Sequence, residues 1–275
     1  MIDPFDYKEP HCALCGGKEF YNPKSDDPSG RIPVKRIIEK LDGFFARDDM
    51  SEAGKLLEYW QNEAKELGDK NGELSVVNEL IGYYRKTGEK EKGIAAAERG
   101  LFLLDALGLS ESVSGATVIL NAATTLKAFG DPARALALYD KTYRIYSREL
   151  DAGDRLFGGF YNNKALALED MGQYEEAEKC YKAAKNVMSK FKDGLADLAI
   201  TCVNMAHLYE KSKRSKSMIT DCLFEAYKYL NDEELSHDGY YAFVCAKCAP
   251  SFAHFGYGRI AAELEEESDK IYERT

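Results

Sequence analysis

Apolar residues recur along this chain at helical spacing, and six short turns divide the pattern into six consecutive pairs of helices. Successive turns lie 40, 42, 42, 41 and 43 residues apart. They are centred on Asp48, Gly88, Gly130, Gly172, Lys213 and Gly256. Because a unit of this length cannot bury its apolar face alone, neighbouring units must stack to supply a core. The pattern predicts an all-α fold, a right-handed solenoid of about six antiparallel helical hairpins.

The fourth hairpin shows the pattern most clearly. Residues 161–184 read YNNKALALEDMGQYEEAEKCYKAA, with Asn163 on the first helix, Gly172 at the turn, and Ala177 and Tyr181 on the second helix. This segment resembles a tetratricopeptide repeat (TPR), and the repeat length is similar to that of kinesin-light-chain-like arrays. The resemblance implies a concave groove, lined by the first helix of each hairpin, that binds a protein or peptide.

The chain is expected to divide into a tail, residues 1–32, and a repeat array, residues 33–275, that ends in a capping helix. The tail is rich in Pro, Gly, Asp and Lys. The last hairpin, residues 239–274, has a second helix that is mostly acidic, as expected of a terminal unit with one face in water. Pro250 is expected to interrupt the first helix of this hairpin.

Composition and charge limit the classes of partner that the chain is expected to bind. The 275 residues carry 47 acidic and 37 basic side chains, a net charge of −10, which disfavours nucleic acid as a partner. No run approaches the ~18 apolar residues of a membrane span, and the acidic start MIDPFD is unlike a secretory signal. The seven cysteines are an odd number, and five lie in predicted helices. We expect a cytoplasmic protein that binds no membrane.

A row of asparagines marks the first helices. The position nine residues before each turn holds Asn121, Asn163 and Asn204 in three consecutive hairpins, and Lys247 in the last. Asn is a poor residue for a helix interior, so its repetition needs a cause. One explanation is structural, in which the amides tie adjacent hairpins together. The other is functional, since the TPR resemblance implies that rows of Asn contact the backbone of an extended peptide.

Neighbouring positions extend this candidate groove. Asn78 and Asn162 lie one residue before the row. Selectivity is expected from side chains three, four or seven residues after it, which include His207 and Lys211. The predicted peptide-binding residues are Asn78, Asn121, Asn162, Asn163, Asn204, Lys247, His207 and Lys211.

The tail holds a pair of cysteines, Cys12 and Cys15, in the sequence HCALCGGK. This pair resembles half of a zinc knuckle, because two thiolates on a tight turn can reach one tetrahedral metal ion. Zinc at Cys12 and Cys15, a redox dithiol and a chemically idle tail all remain open. The other closely spaced pair, Cys245 and Cys248, falls at core-facing positions of the sixth hairpin.

The sequence predicts a non-catalytic interaction scaffold rather than an enzyme. It has no Gly-rich phosphate loop, nucleophile elbow or His–Glu metal motif, and its four histidines are too scattered to suggest a triad. A sensor of short signalling peptides is the first alternative. A zinc-binding or thiol-redox protein acting through the CxxC pair is the second. Nothing in the sequence determines the oligomeric state.

Overall fold

A computed structural model of the chain describes residues 30–45, 47 and 49–272. These residues form twelve α-helices and one 3-10 turn, Lys192–Gly194, and they contain no strand. They separate into two compact units, residues 30–150 and 151–272. The first unit contains α1 Val34–Phe45, α2 Met50–Leu67, α3 Lys70–Thr87, α4 Lys90–Leu107, α5 Val113–Ala128 and α6 Pro132–Glu149. The second contains α7 Leu156–Asp170, α8 Tyr174–Met188, α9 Leu195–Lys211, α10 Lys216–Leu230, α11 Gly239–His254 and α12 Gly258–Tyr272.

In the first unit, consecutive helices pack as three hairpins, α1 with α2, α3 with α4, and α5 with α6. Each hairpin also contacts the next, and α3 packs beside α5, so that equivalent first helices are neighbours. The core between them is fully enclosed. It contains Leu57, Leu80, Leu103, Ile119, Tyr139 and Tyr146.

The second unit repeats this plan with α7 and α8, α9 and α10, and α11 and α12. The first helices again lie side by side, α7 beside α9 and α9 beside α11. Its core contains Phe160, Tyr181, Ala226, Phe252 and Leu264. The predicted all-α fold of stacked helical hairpins is therefore confirmed. The right-handed sense of the stack stays a prediction.

The turns inside the hairpins are built as the sequence predicts. Gly88, Gly130, Gly172 and Gly256 all have φ between 70° and 91°, the left-handed conformation that glycine adopts without steric cost. At the fifth turn Lys213 adopts the same conformation with φ 55°. The first predicted turn residue, Asp48, lies outside the described residues.

Aspartate side chains cap the N-terminal ends of several helices, both inside the hairpins and between them. Asp131 caps α6 by accepting a hydrogen bond from the Arg134 amide at 3.1 Å, and Pro132 occupies the first turn, where a missing N–H costs nothing. Asp69 caps α3 and also accepts from the Ile32 amide at 3.0 Å. The cap therefore also fixes the chain entering α1.

The last hairpin differs from expectation at one residue. Helix α11 runs unbroken from Gly239 to His254 with Pro250 inside it, so the expected interruption was wrong. Proline has helical φ and sacrifices one backbone hydrogen bond, which packing of α11 against α9 and α12 outweighs. In α12, Leu264 and Ser268 are buried while Glu265 and Glu266 are exposed, as in a capping helix. No described helix combines the length and apolarity needed to cross a bilayer.

Candidate peptide-binding site

In the first unit, the asparagines join adjacent first helices. Asn121 on α5 donates from Nδ2 to Oδ1 of Asn78 on α3 at 2.8 Å, and both side chains are buried. Asn78 in turn donates to Glu79 at 3.3 Å. A short amide makes this bridge without a long flexible stem, so little rotamer entropy is lost. The structural role of these two residues is thereby visible.

The second unit contains the same kind of bridge, between the fourth and fifth hairpins. Asn204 on α9 donates from Nδ2 to Oδ1 of Asn162 on α7 at 3.4 Å, and both residues are buried. In both units the bridge runs from an Asn of the row to an Asn one position before the row. Adjacent helices therefore meet through positions offset by one residue.

Asn163 behaves differently from its neighbours. It is 1% exposed, and neither Nδ2 nor Oδ1 has a hydrogen-bond partner among the described residues. The Nδ2 of the adjacent Asn162 also lacks one within that part of the chain. Within the described residues, helix α7 thus carries two amide donor groups and one amide acceptor that are buried without a partner. A buried amide group left without any partner, ordered water included, costs on the order of 1–3 kcal/mol.

Lys211 and Glu169 form a second link between α7 and α9. Lys211 Nζ lies 3.2 Å from Oε2 of the buried Glu169. The Tyr181 hydroxyl donates to Oε1 of the same carboxylate at 2.5 Å. Burial, reinforced by the Glu169 charge, raises the pKa of Tyr181 well above its ordinary value. This hydroxyl therefore stays protonated and keeps donating across the physiological pH range.

A buried carboxylate links α9 to α11. Asp197 is fully buried and accepts a hydrogen bond from the Tyr240 hydroxyl at 2.9 Å. Arg155, just before α7, approaches the other oxygen at 3.5 Å. A charge at this depth requires such partners to offset its desolvation. The cluster anchors the beginning of all three first helices of the unit.

Two histidines that the sequence leaves far apart meet at the other end of α9 and α11. The rings of His207 and His254 have centroids 5.4 Å apart. His207 Nε2 lies 3.0 Å from the Ser251 hydroxyl, and His254 Nε2 lies 2.9 Å from Glu210 Oε2. The interpretation that all four histidines are scattered was therefore wrong for this pair. It missed Glu210 and Ser251 as well, because the cluster joins residues of two successive hairpins.

The sequence also predicts a groove residue at Lys247 and a metal site at Cys12 and Cys15. Lys247 is half-buried on α11. Cys12 and Cys15 lie outside the described residues, and zinc there stays a prediction. Cys245 and Cys248 are buried, and burial raises the pKa of the first thiol to about 11 and of the second to about 12. Both thiols are therefore protonated at neutral pH, as is typical of buried cysteines that pack in a core.

With stacked hairpins whose first helices are bridged by polar side chains, the chain has the architecture of a helical-repeat protein. Residues 159–187 match the tetratricopeptide repeat family model, and this segment covers most of α7 and α8. This match falls on the segment whose sequence resembles a tetratricopeptide repeat, so the resemblance predicted there is confirmed. No curated protein sequence matches it.

Solved structures with similar folds share little sequence with the chain. A kinesin-light-chain structure from Podosopora anserina with nearly identical TPR-like repeats is 18% identical, has a TM-score of 0.51, and covers 73% of this chain and 95% of its own. The quorum sensor NprR from B. thuringiensis in its apo form is 15% identical, with a TM-score of 0.55, over 88% of this chain and 65% of that one. NprR in complex with its cognate peptide NprX is 16% identical, with a TM-score of 0.58, and the match covers 89% of this chain and 72% of the NprR chain. At these identities the likeness shows the fold alone.

Proposed function

We propose that this chain is a non-catalytic interaction scaffold that binds an extended peptide or protein segment through the asparagines of its first helices. The observation that carries the proposal is Asn163, a buried amide whose donor and acceptor have no partner in the described part of the chain. A TPR fold supports it, because such repeats are typically interaction modules. A structure of similar fold, NprR, is described in complex with a cognate peptide.

The chemistry of Asn163 suits a peptide backbone. One carboxamide accepts from a peptide N–H and donates to a peptide C=O, whatever the side chains of the ligand are. Affinity from such contacts is independent of sequence. The adjacent Asn162 adds a second donor through Nδ2.

Burial of Asn163 has a kinetic consequence. A peptide reaches this amide only after the side chains that cover it move. Association is therefore expected to be slower than the roughly 10⁵–10⁷ M⁻¹s⁻¹ typical of preformed surfaces. Dissociation then needs the same movement in reverse.

Selectivity is assigned to charged and aromatic side chains on the same helices. Lys211 is 42% exposed although it pairs with Glu169, so its ammonium remains accessible to a ligand carboxylate. Lys247 occupies the row position on α11, and His207 lies three residues after Asn204. If Lys211 leaves Glu169 to pair with a carboxylate of the ligand, ligand binding breaks the ion pair that links α7 to α9.

We assign this scaffold to the cytoplasm, with protein or peptide partners rather than nucleic acid or membrane. The net charge of −10 supports the choice of partners, because a polyanion such as nucleic acid would be repelled at long range.

The test compares Asn163→Ala with Asn186→Ala, a matched change at an exposed Asn on α8. Partners are captured from native extract, identified by mass spectrometry, and re-measured as synthetic peptides by calorimetry. Losing one hydrogen bond costs about 0.5–1.5 kcal/mol, so Asn163→Ala should weaken binding about 2- to 12-fold. Asn186→Ala should bind as the unmodified protein does.

Stability separates the functional explanation from the structural one. Asn163→Ala removes no hydrogen bond to a described residue, so its unfolding midpoint should equal or exceed that of the unmodified protein. Asn204→Ala breaks the bridge to Asn162 and should be less stable. If a folded variant with alanine at 121, 163 and 204 binds every partner at full affinity, the asparagines are structural only.

A sensor of short signalling peptides is the second candidate. The observation that favours it is the match to NprR, which is described as a quorum sensor with a cognate peptide. A scaffold should gain affinity as the captured segment is lengthened beyond its core motif. A sensor should bind a free short peptide fully, with no gain from added flanking residues.

A further inference from the structure

A compact group of donor atoms lies between the C-terminal ends of α9 and α11. It consists of His207, Glu210 and His254, whose ligand atoms all lie within 4.8 Å of one another. His207 and Glu210 are one helical turn apart on α9, and His254 is the last residue of α11. Two imidazoles and one carboxylate form a ligand set that divalent transition metals favour.

The distances within the group fit a single ion. Bonds of 2.0–2.2 Å in tetrahedral geometry place ligand atoms about 3.3–3.6 Å apart. Glu210 Oε2 lies 2.9 Å from His254 Nε2 and 3.9 Å from His207 Nδ1, which brackets that spacing. Small rotamer changes are enough to bring all three atoms to bonding distance.

The side chains differ in exposure to solvent in a way that suits metal capture. His207 is 12% exposed and held on the protein side, while Glu210 and His254 are 46% and 44% exposed. One ligand is therefore fixed and two can adjust and admit the ion from solvent. The Phe255 ring packs against both imidazoles, at 4.9 Å from His207 and 4.7 Å from His254.

A buried hydroxyl supports the fixed ligand. Ser251 on α11 is fully buried, and its Oγ lies 3.0 Å from His207 Nε2. If Nε2 donates this hydrogen bond, Nδ1 is left as the lone-pair nitrogen facing Glu210. Such an outer partner commonly sets the tautomer of a metal-binding histidine.

From this geometry we infer that His207, Glu210 and His254 form a binding site for a divalent first-row transition-metal ion of the Zn²⁺ and Co²⁺ class. The three residues supply His₂Glu coordination and leave a fourth position open to water or another ligand. Binding cross-links the ends of α9 and α11. The inference uses none of the asparagines, and it shares only His207 with the side chains assigned to peptide selectivity.

The test uses the full chain carrying Cys12→Ser and Cys15→Ser, so that the tail thiols cannot contribute. Zn²⁺ is titrated by calorimetry, and Co²⁺ by its visible absorption. We expect one saturable site per chain, a Co²⁺ spectrum without a thiolate charge-transfer band, and a raised thermal midpoint with metal. His254→Gln and Glu210→Gln should each weaken binding at least about 100-fold, and Ser251→Ala about 10-fold.

His237→Gln is the matched control, because His237 lies in a loop and stacks on Tyr241 away from the cluster. It should bind metal as the parent does. His254 and Glu210 are both about half-exposed, so their variants should keep the parent's circular dichroism. Absence of saturable binding in the parent, or binding unchanged in both folded variants, would overturn the inference.

Discussion

At the scale of single residues, the buried charges of the first unit are held by specific partners. Glu73 on α3 has a side chain that is 3% exposed, and Arg99 on α4 grips it with two hydrogen bonds of 2.8 and 2.7 Å. The bidentate geometry satisfies both carboxylate oxygens in a place where water does not reach them. This pair joins the two helices of the second hairpin.

Removing Arg99 should therefore destabilise the first unit. Arg99→Ala leaves the Glu73 carboxylate buried and without its main partner. Breaking a fully buried pair costs about 3–5 kcal/mol, and because Arg99 is itself 36% exposed we expect about 2–3 kcal/mol. Urea unfolding followed by circular dichroism measures the loss.

The control is Arg134→Ala, which breaks a pair with Glu98 in which both side chains are 52% exposed. This surface pair should contribute less than about 1 kcal/mol. Equal losses in the two variants would show that burial of Glu73 contributes nothing.

The asparagine row shows what residue spacing predicts and what it does not. The repeat register places Asn121 and Asn204 at equivalent positions, and both are indeed equivalent in forming bridges. Their partners are Asn78 and Asn162, one position off the row, because facing sides of neighbouring helices are rotated relative to the repeat register. The repeat register predicts which asparagines occupy equivalent positions. It does not predict which residue each one hydrogen-bonds, because that depends on how α3 packs on α5 and α7 on α9.

At the scale of elements, the fifth turn is the one with a strained backbone conformation. Lys213 adopts φ 55° at a position where four other hairpins have glycine. A non-glycine residue in this conformation destabilises the folded state by roughly 1–2 kcal/mol. Replacing it with glycine removes that strain, but part of the gain is lost because glycine makes the unfolded chain more flexible. Lys213→Gly should therefore stabilise the chain by about 0.5–1 kcal/mol in urea unfolding.

Gly172→Ala is the converse experiment. A methyl group on Gly172 would meet no atom within 4 Å, so only its φ of 70° opposes the change. The variant should lose about 1–2 kcal/mol. A stabilised Gly172→Ala, or a destabilised Lys213→Gly, would contradict the role given to the left-handed turns.

Elements also limit what the sequence reveals about sites. The turns at 88, 130, 172, 213 and 256 follow from local chemistry, and the structure places all of them as predicted. The cluster of His207, Glu210 and His254 combines two successive hairpins, so no single motif carries it. The spacing of His207 and Glu210 on one helical face is visible in the sequence, whereas the approach of His254 depends on helix packing.

At the scale of the whole molecule, ion pairs set the response to acid. Hydrogen bonds from Lys92 lower the pKa of Glu58, those from Lys182 lower that of Glu178, and Arg155 lowers that of Asp193. A carboxyl with a lowered folded-state pKa stabilises the fold fully above its unfolded value, about 4. That stabilisation is lost as the pH falls through the folded value.

The urea midpoint should accordingly be constant from about pH 7 to pH 5 and fall steeply below about pH 4. Lys182→Met removes the hydrogen bond that does most to lower the pKa of Glu178, and it should make this fall shallower. A midpoint that rises on acidification would show that like-charge repulsion at net charge −10 outweighs these pairs.

The bonds between first helices of the second unit have a consequence for how this gene can change. They join residues 42, 43 and 44 positions apart, as in Asn162–Asn204, Asp197–Tyr240 and His207–Ser251. An inserted codon within α11, between Tyr240 and Ser251, would turn the rest of the helix by about 100°, so Tyr240 and Ser251 could not both keep their partners on α9. The same codon in the loop of residues 231–238 leaves the helical phase intact. Insertions and deletions should therefore accumulate between the hairpins, while repeat length inside them is held constant by side-chain pairing.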